Sequence, residues 1–139
     1  MIEFLVPVRT LGPNARGHWA VVAARARLER QSTAWTLAGL RRPRLPVRVT
    51  FTRLSPGWLD DDNLRGACKA IRDEIAVWLD LPVSDARTGQ RDDSDPRVEW
   101  LYAQERVQRR MRARPADQIG VRVRVEPRDL FAGSPLEAR

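Results

Sequence analysis

The sequence predicts an α/β chain of the α+β kind: one domain in which a small mixed β-sheet is packed by two main helices. Three observations carry that prediction. Segments around Ile2–Val8, Val47–Phe51, Val98–Tyr102 and Ile119–Val125 are apolar and β-branched or alternate apolar with polar residues, as half-buried strands do. Two long stretches without proline, Trp19–Leu40 and Asp61–Leu79, have helical composition, and the second repeats apolar residues every three or four positions. A length of 139 residues suits one domain with a buried core.

Taken in order, Ile2–Val8 is the first strand and ends near Pro7. Leu11–His18 holds Gly12, Pro13, Asn14 and Gly17 and reads as a loop. Trp19–Leu40 is rich in Ala, Leu and Arg, with Gly39 as its stop signal, and Arg41, Arg42 and Arg44 form a basic connector. Val47, Val49 and Phe51 alternate with Arg48, Thr50 and Thr52 in the second strand, which Ser55-Pro56-Gly57 breaks. Asp61–Leu79 reads as one helix whose core stripe is Leu64, Cys68, Ile71, Ile75 and Trp78. Asp62, Arg65, Lys69 and Asp73 fall on another face, and the lean of helical side chains aims Lys69 toward the N-terminal carboxylates. Asp80–Asp95 reads as a long polar loop. Val98, Trp100 and Tyr102 make a third strand, Arg106–Arg114 a basic mobile loop, and Ile119–Val125 a fourth strand. The expected domain is 1–126, with 127–139 a frayed tail.

No apolar run approaches the roughly 20 residues of a membrane span, and the N-terminus lacks a signal-peptide pattern. Cys68 is the single cysteine, so an intrachain disulfide and a cysteine-rich zinc site are excluded and a reducing, cytoplasmic setting is expected. The formal net charge is +7 and is unevenly spread. Asp60–Glu99 has 11 acidic and 6 basic residues, which leaves the centre at −5 and the flanks at +12. A basic periphery is the footprint of a polyanion partner. All but one of the 25 cations are arginine, the residue whose planar fork suits phosphate; Lys69 is the exception.

Against that background the run Asp60-Asp61-Asp62-Asn63 stands out. Adjacent carboxylates repel unless a cation intervenes, and hard ions such as Mg²⁺ take carboxylate oxygens together with substrate phosphates. The bland alternative is helix capping, which favours aspartate at the same positions. A second run, Asp92-Asp93-Ser94-Asp95, leads straight into the third strand. Carboxylates at a helix start and a strand start converge if those ends lie side by side, an arrangement suited to metal-assisted phosphodiester cleavage.

The pattern Asp60-x-Asp62-Asn63-Leu64 opening a helix, with Lys69 and Asp73 beyond it and then Asp95-x-x-Val98, resembles the RusA family of Holliday junction resolvases. The first strand, the Pro13-Asn14 turn and Arg16 look like that family's opening segment, so the likeness runs from about Ile2 to Val125. It implies a phage-related, Mg²⁺-dependent homodimeric endonuclease (Mn²⁺ as substitute) that cuts four-way DNA in recombination and repair. Asp60, Asp62 and Asp95 would hold the metal, Lys69 would act as the catalytic cation, and Asn63 and Asp93 would support the site. The family lysine often stands one turn after the second aspartate, where this chain has Gly66. Asp92 and Asp93 compete with Asp95 for the third position. Arg65, Arg109 and Arg110, with Asn14 and Arg16, are the expected DNA contacts. Rival readings are a nuclease preferring flaps or replication forks, and a non-catalytic basic DNA-binding protein. Cys68 on the apolar stripe reads as core, His18 as a loop or substrate contact, and Trp58 as core or as a stacking surface for an unpaired base.

Overall fold

The computed structural model describes residues 1–10, 18–107 and 118–129. Its elements are β1 (Ile2–Val6), α1 (Trp19–Leu37), β2 (Val47–Ser55), α2 (Asp61–Ala67), α3 (Lys69–Trp78), β3 (Val83–Asp85), β4 (Gln90–Arg91), β5 (Val98–Arg106) and β6 (Gly120–Pro127). Four strands form one mixed sheet in the order β1-β6-β2-β5, and β3 pairs with β4 alone. The α+β class with a small mixed sheet is thus the observed architecture, with three helices rather than two. Among the described residues no helix is long and apolar enough to cross a membrane.

The period-2 pattern does what it predicts. Val47, Val49 and Phe51 of β2 and Val121, Val123 and Val125 of β6 turn to one face and are at most 2% exposed. Phe4 and Phe51 both sit opposite Val123, so apolar side chains line up across the sheet. Leu64, Cys68, Ile71 and Ile75 close the core from the helical side, while Trp78, the last of the predicted stripe, is only partly buried. Each fully buried aliphatic side chain here contributes about 1.5–3 kcal/mol by leaving water. The sheet's other face carries the pairs Arg48–Glu99 at 2.8 Å, Arg122–Glu105 at 2.8 Å and Arg124–Glu3 at 3.1 Å. Gly120 lets β6 lie close against the edge strand β1, because a Cβ there would lie 2.6 Å from the Val6 carbonyl oxygen.

Three local expectations are revised. The stretch Asp61–Leu79 is two helices: at Cys68 the amide is shared among the carbonyls of Leu64, Arg65 and Gly66, and φ −91°, ψ 0° breaks the regular ladder. The loop Asp80–Asp95 contains the β3–β4 hairpin, turned by Gly89 at φ 72°. Arg106 ends β5 and belongs to no loop. The helix stop after α3 is a Schellman turn, with Asp80 at φ 55°, Asp80 N–H bonded to the Val77 carbonyl at 3.0 Å and Leu81 N–H to Ala76 at 3.1 Å.

Topology positions the site. β2 and β5 are parallel, Val47 opposite Val98 and Ser55 opposite Arg106. Parallel neighbours need a crossover, and α2 with α3 supplies it. Asp60 therefore follows the end of β2, whereas Asp95 precedes β5 beside the start of β2.

Candidate functional site

The segment leading into α2 is pinned at two points. Arg53, 5% exposed, donates to Thr10 Oγ1 at 3.1 Å, to the Thr10 carbonyl at 3.3 Å and to the Gly57 carbonyl at 3.2 Å. The Gln104 side chain then clasps Leu59, accepting its N–H at 3.1 Å and donating to its carbonyl at 2.6 Å. Trp58 lies between these anchors and stays 56% exposed, with the Arg106 guanidinium 5.5 Å from its ring centre. It is a surface tryptophan and not a core one.

Asp60 is the N-cap of α2: its Oδ1 accepts the Asn63 N–H at 2.9 Å. The capping role is therefore real for one of the three aspartates. Asp61 and Asp62 occupy the exposed first turn, and no hydrogen bond or ion pair within the described residues engages either carboxylate. Arg65 lies one turn on, its guanidinium 5.6 Å from the centre of the Tyr102 ring.

The second aspartate run is spent on internal contacts. Asp92 accepts from the Ser94 N–H at 3.0 Å. Asp93 pairs with Arg72 at 3.0 Å, and Arg72 also donates to the Tyr102 hydroxyl at 2.8 Å. Asp95 is 7% exposed and gripped by Arg97, whose Nη2 and Nε donate to its two oxygens at 2.7 Å and 3.0 Å and whose backbone N–H adds a bond of 2.9 Å. Those bonds hold the Asp95 carboxyl below the usual carboxylate range.

The three carboxylates expected to share a metal are not brought together. Asp60 and Asp95 follow and precede opposite ends of the β2–β5 pair, and no group of three or more His, Cys, Asp or Glu side chains able to hold a metal exists among the described residues. Mg²⁺ needs no such cage. It commonly keeps several waters and takes one or two protein carboxylates, with substrate phosphate completing its shell. Asp60 and Asp62 fit that donor set. Asp95 does not, since Arg97 occupies both its oxygens, and of the second run Asp93 is the one paired with a residue of α3.

Lys69 leans the other way from the expectation. Its ammonium donates to Asp73 at 2.8 Å, a carboxylate it shares with Arg30 at 3.0 Å. The i,i+4 ion pair outweighs the N-terminal lean of a long, flexible side chain. Asn14, Arg16, Arg109 and Arg110 lie outside the described residues, as do most of the 106–114 cluster and the tail from residue 130. His18 is the N-cap of α1, its Nδ1 accepting from Ala20 N–H at 3.2 Å. Cys68 is buried and its thiol is pushed up to about 12 by that burial, so it is not a nucleophile at neutral pH.

Two residues escaped the sequence reading. Arg72 holds the second acidic run against α3. Glu29, 7% exposed, lies on the inward line Glu29–Thr33–Leu37 of α1, with half-buried Ala26 one turn before it. Its three- and four-residue spacing was visible in the sequence and marks it as an acid on a buried face.

What fold and site define by themselves is a basic α+β protein that displays exposed carboxylates at the mouth of a crossover helix. No protein-family model matches the chain, and neither a curated protein nor a solved structure does.

Proposed function

We propose that this protein is a Mg²⁺-dependent, structure-specific endodeoxyribonuclease of RusA type, acting on branched DNA and foremost on four-way junctions. The observation that supports it most is the α2 start. There Asp61 and Asp62 are exposed and unengaged beside the cap Asp60, on a pinned segment of a chain with net charge +7. In water such a concentration of like charge is unfavourable, and a cation relieves it. Asp60 and Asp62 would hold Mg²⁺, which when bound lowers the pKa of an attacking water and offsets charge at the scissile phosphate. Asp95 and Asp93 are each paired with an arginine and offer the ion little, so substrate phosphate and water would complete its shell, and Asn63 supports the first two carboxylates. Arg65 and Arg106, together with Asn14, Arg16, Arg109 and Arg110, would grip backbone phosphates without reading bases. Lys69 would add positive charge next to the substrate. Symmetric cutting of a junction takes two such sites, hence a homodimer.

A second reading is a non-catalytic DNA-binding protein. It is favoured by the capping role of Asp60 and by the lack of a three-carboxylate group among the described residues. The test is cleavage of a synthetic four-way junction in Mg²⁺ or Mn²⁺ by wild type and Asp62→Asn. Cutting by wild type alone supports the nuclease. Binding by both with no cutting gives the second reading, and equal cutting by both removes Asp62 from the mechanism. Much faster cutting of flaps or forks than of junctions would change the substrate and keep the chemistry.

A further inference from the structure

Between α1 and the α2–α3 pair lies a cavity of about 370 Å³ that shares only Lys69 with the residues of the nuclease reading. That volume falls in the range of small-molecule sites. Its walls are small and apolar: Val22 and Ala26 from α1, Gly66, Ala67 and Ala70 from the facing helices. Short side chains on both sides leave the space open. One of its lining residues is Glu29, more than nine-tenths buried. Its carboxyl makes no hydrogen bond among the described residues; only the Glu29 backbone carbonyl is used, by Thr33 Oγ1 at 2.7 Å. The carboxyl oxygens still reach the solvent of the cavity, since Arg72 Nε is the one fully buried side-chain atom without a partner among the described residues, so the carboxyl is open to a ligand there.

Half-exposed cations also line the cavity. Arg30 and Lys69 are 52% and 53% exposed and share the single carboxylate of Asp73, and Arg25 adds a third positive charge. The rim is thus net positive, while the buried group is an acid. A ligand matching this gradient has an anion at one end and adjacent N–H donors at the other, on an apolar body that suits the Val, Ala and Gly walls. An ionised carboxylate accepts and does not donate, so it selects an edge with two neighbouring donors. Among nucleobases guanine has that edge, in N1–H and the 2-amino group.

We propose that this cavity binds a guanine nucleotide, with the base edge on the Glu29 carboxylate and the phosphate on Arg25, Arg30 and Lys69. The same chemistry is offered by a free nucleotide and by a guanine turned out of a DNA strand. The charged and titratable groups facing Glu29 are Arg25 and Arg30 of α1, Cys68 between the facing helices, and Lys69 and Asp73 of α3. Burial raises the Glu29 carboxyl to about 7, with Arg25 opposing, so two donors would draw it back to the ionised form on binding.

The test is calorimetric titration of the full chain, without metal, with guanosine, adenosine and cytidine monophosphates and with inorganic phosphate. Guanosine monophosphate is expected to bind at least about tenfold more tightly than the others, a gain in line with charge-assisted bidentate hydrogen bonds. Glu29→Gln should remove that preference while leaving phosphate binding, and Ala26→Leu, which fills the cavity, should abolish guanosine binding. Thermal melts of both variants check that they are folded, and Glu29→Gln, which removes a buried charge, should melt no lower than wild type at pH 8. Duplexes with one extrahelical guanine or thymine separate the sources: tighter binding of the guanine bulge than of the monophosphate points to DNA, the reverse to a free nucleotide. Equal binding of all nucleotides, phosphate binding as tightly as guanosine monophosphate, or an unchanged preference in Glu29→Gln would overturn the site. None of these readouts depends on cleavage, so the nuclease reading stands or falls separately.

Discussion

Two runs of aspartate, Asp60–Asp62 and Asp92–Asp95, are alike in sequence and opposite in surroundings. In the second, Asp93 has Arg72 and Asp95 has Arg97, and Asp92 holds a Ser94 amide. In the first, only Asp60 is engaged, as a helix cap, and Asp61 and Asp62 face solvent. The difference lies in whether an arginine is carried into reach by the fold. A carboxylate already neutralised by a guanidinium has little to offer a metal, while a bare pair at a helix start has a reason to take one.

The largest effect should come from separating the two runs by function. Asp62→Asn is expected to lower Mg²⁺-dependent junction cleavage on the order of a hundredfold to a thousandfold with binding retained. Asp92→Asn should change it by about twofold at most, as read by gel cleavage and anisotropy. Equal losses would erase the distinction.

Glu29 and Asp95 extend the comparison to pH, with opposite signs. Glu29 is raised to about 7 in the folded state. Its cost is absent below the unfolded carboxylate pKa, grows as pH rises toward 7 and is complete above it. Glu29→Gln should therefore gain most in urea denaturation at pH 8 and little at pH 4. Asp95 is depressed by Arg97, so its contribution is present above the unfolded pKa and lost as pH falls through the folded one. Arg97→Ala should move acid unfolding to higher pH.

Arg72→Met should cost about 2 kcal/mol, because it leaves Asp93 and the Tyr102 hydroxyl without their partner beside a half-buried site. The smallest effects belong to the first run. Asp60→Ala should lose about 1 kcal/mol of stability with its cap, and Asp61→Ala should stay within about 0.5 kcal/mol in the same urea titration.

Much of the fold was legible in residue order. The alternation at Val47–Phe51 and Ile119–Val125 and the stripe Leu64–Cys68–Ile71–Ile75 all became core faces, since strand and helix periods are properties of neighbouring residues. The break at Cys68 escaped because an apolar stripe continues through a sharing of amide bonds among three carbonyls. The β3–β4 hairpin escaped because its strands are 3 and 2 residues long, too short to show a period. Of the candidate site, the exposed carboxylates of α2 were readable, and the company kept by Asp95 and Lys69 was not.

Residue order alone thus settled the α+β class, the faces that are buried, the basic periphery and the two acidic runs. Tertiary structure alone decided which carboxylates are neutralised, where Lys69 points and that Glu29 lines a cavity. Periodicity and charge are carried by the chain locally. Pairing acts through space, and the β2–β5 crossover sets which charges meet.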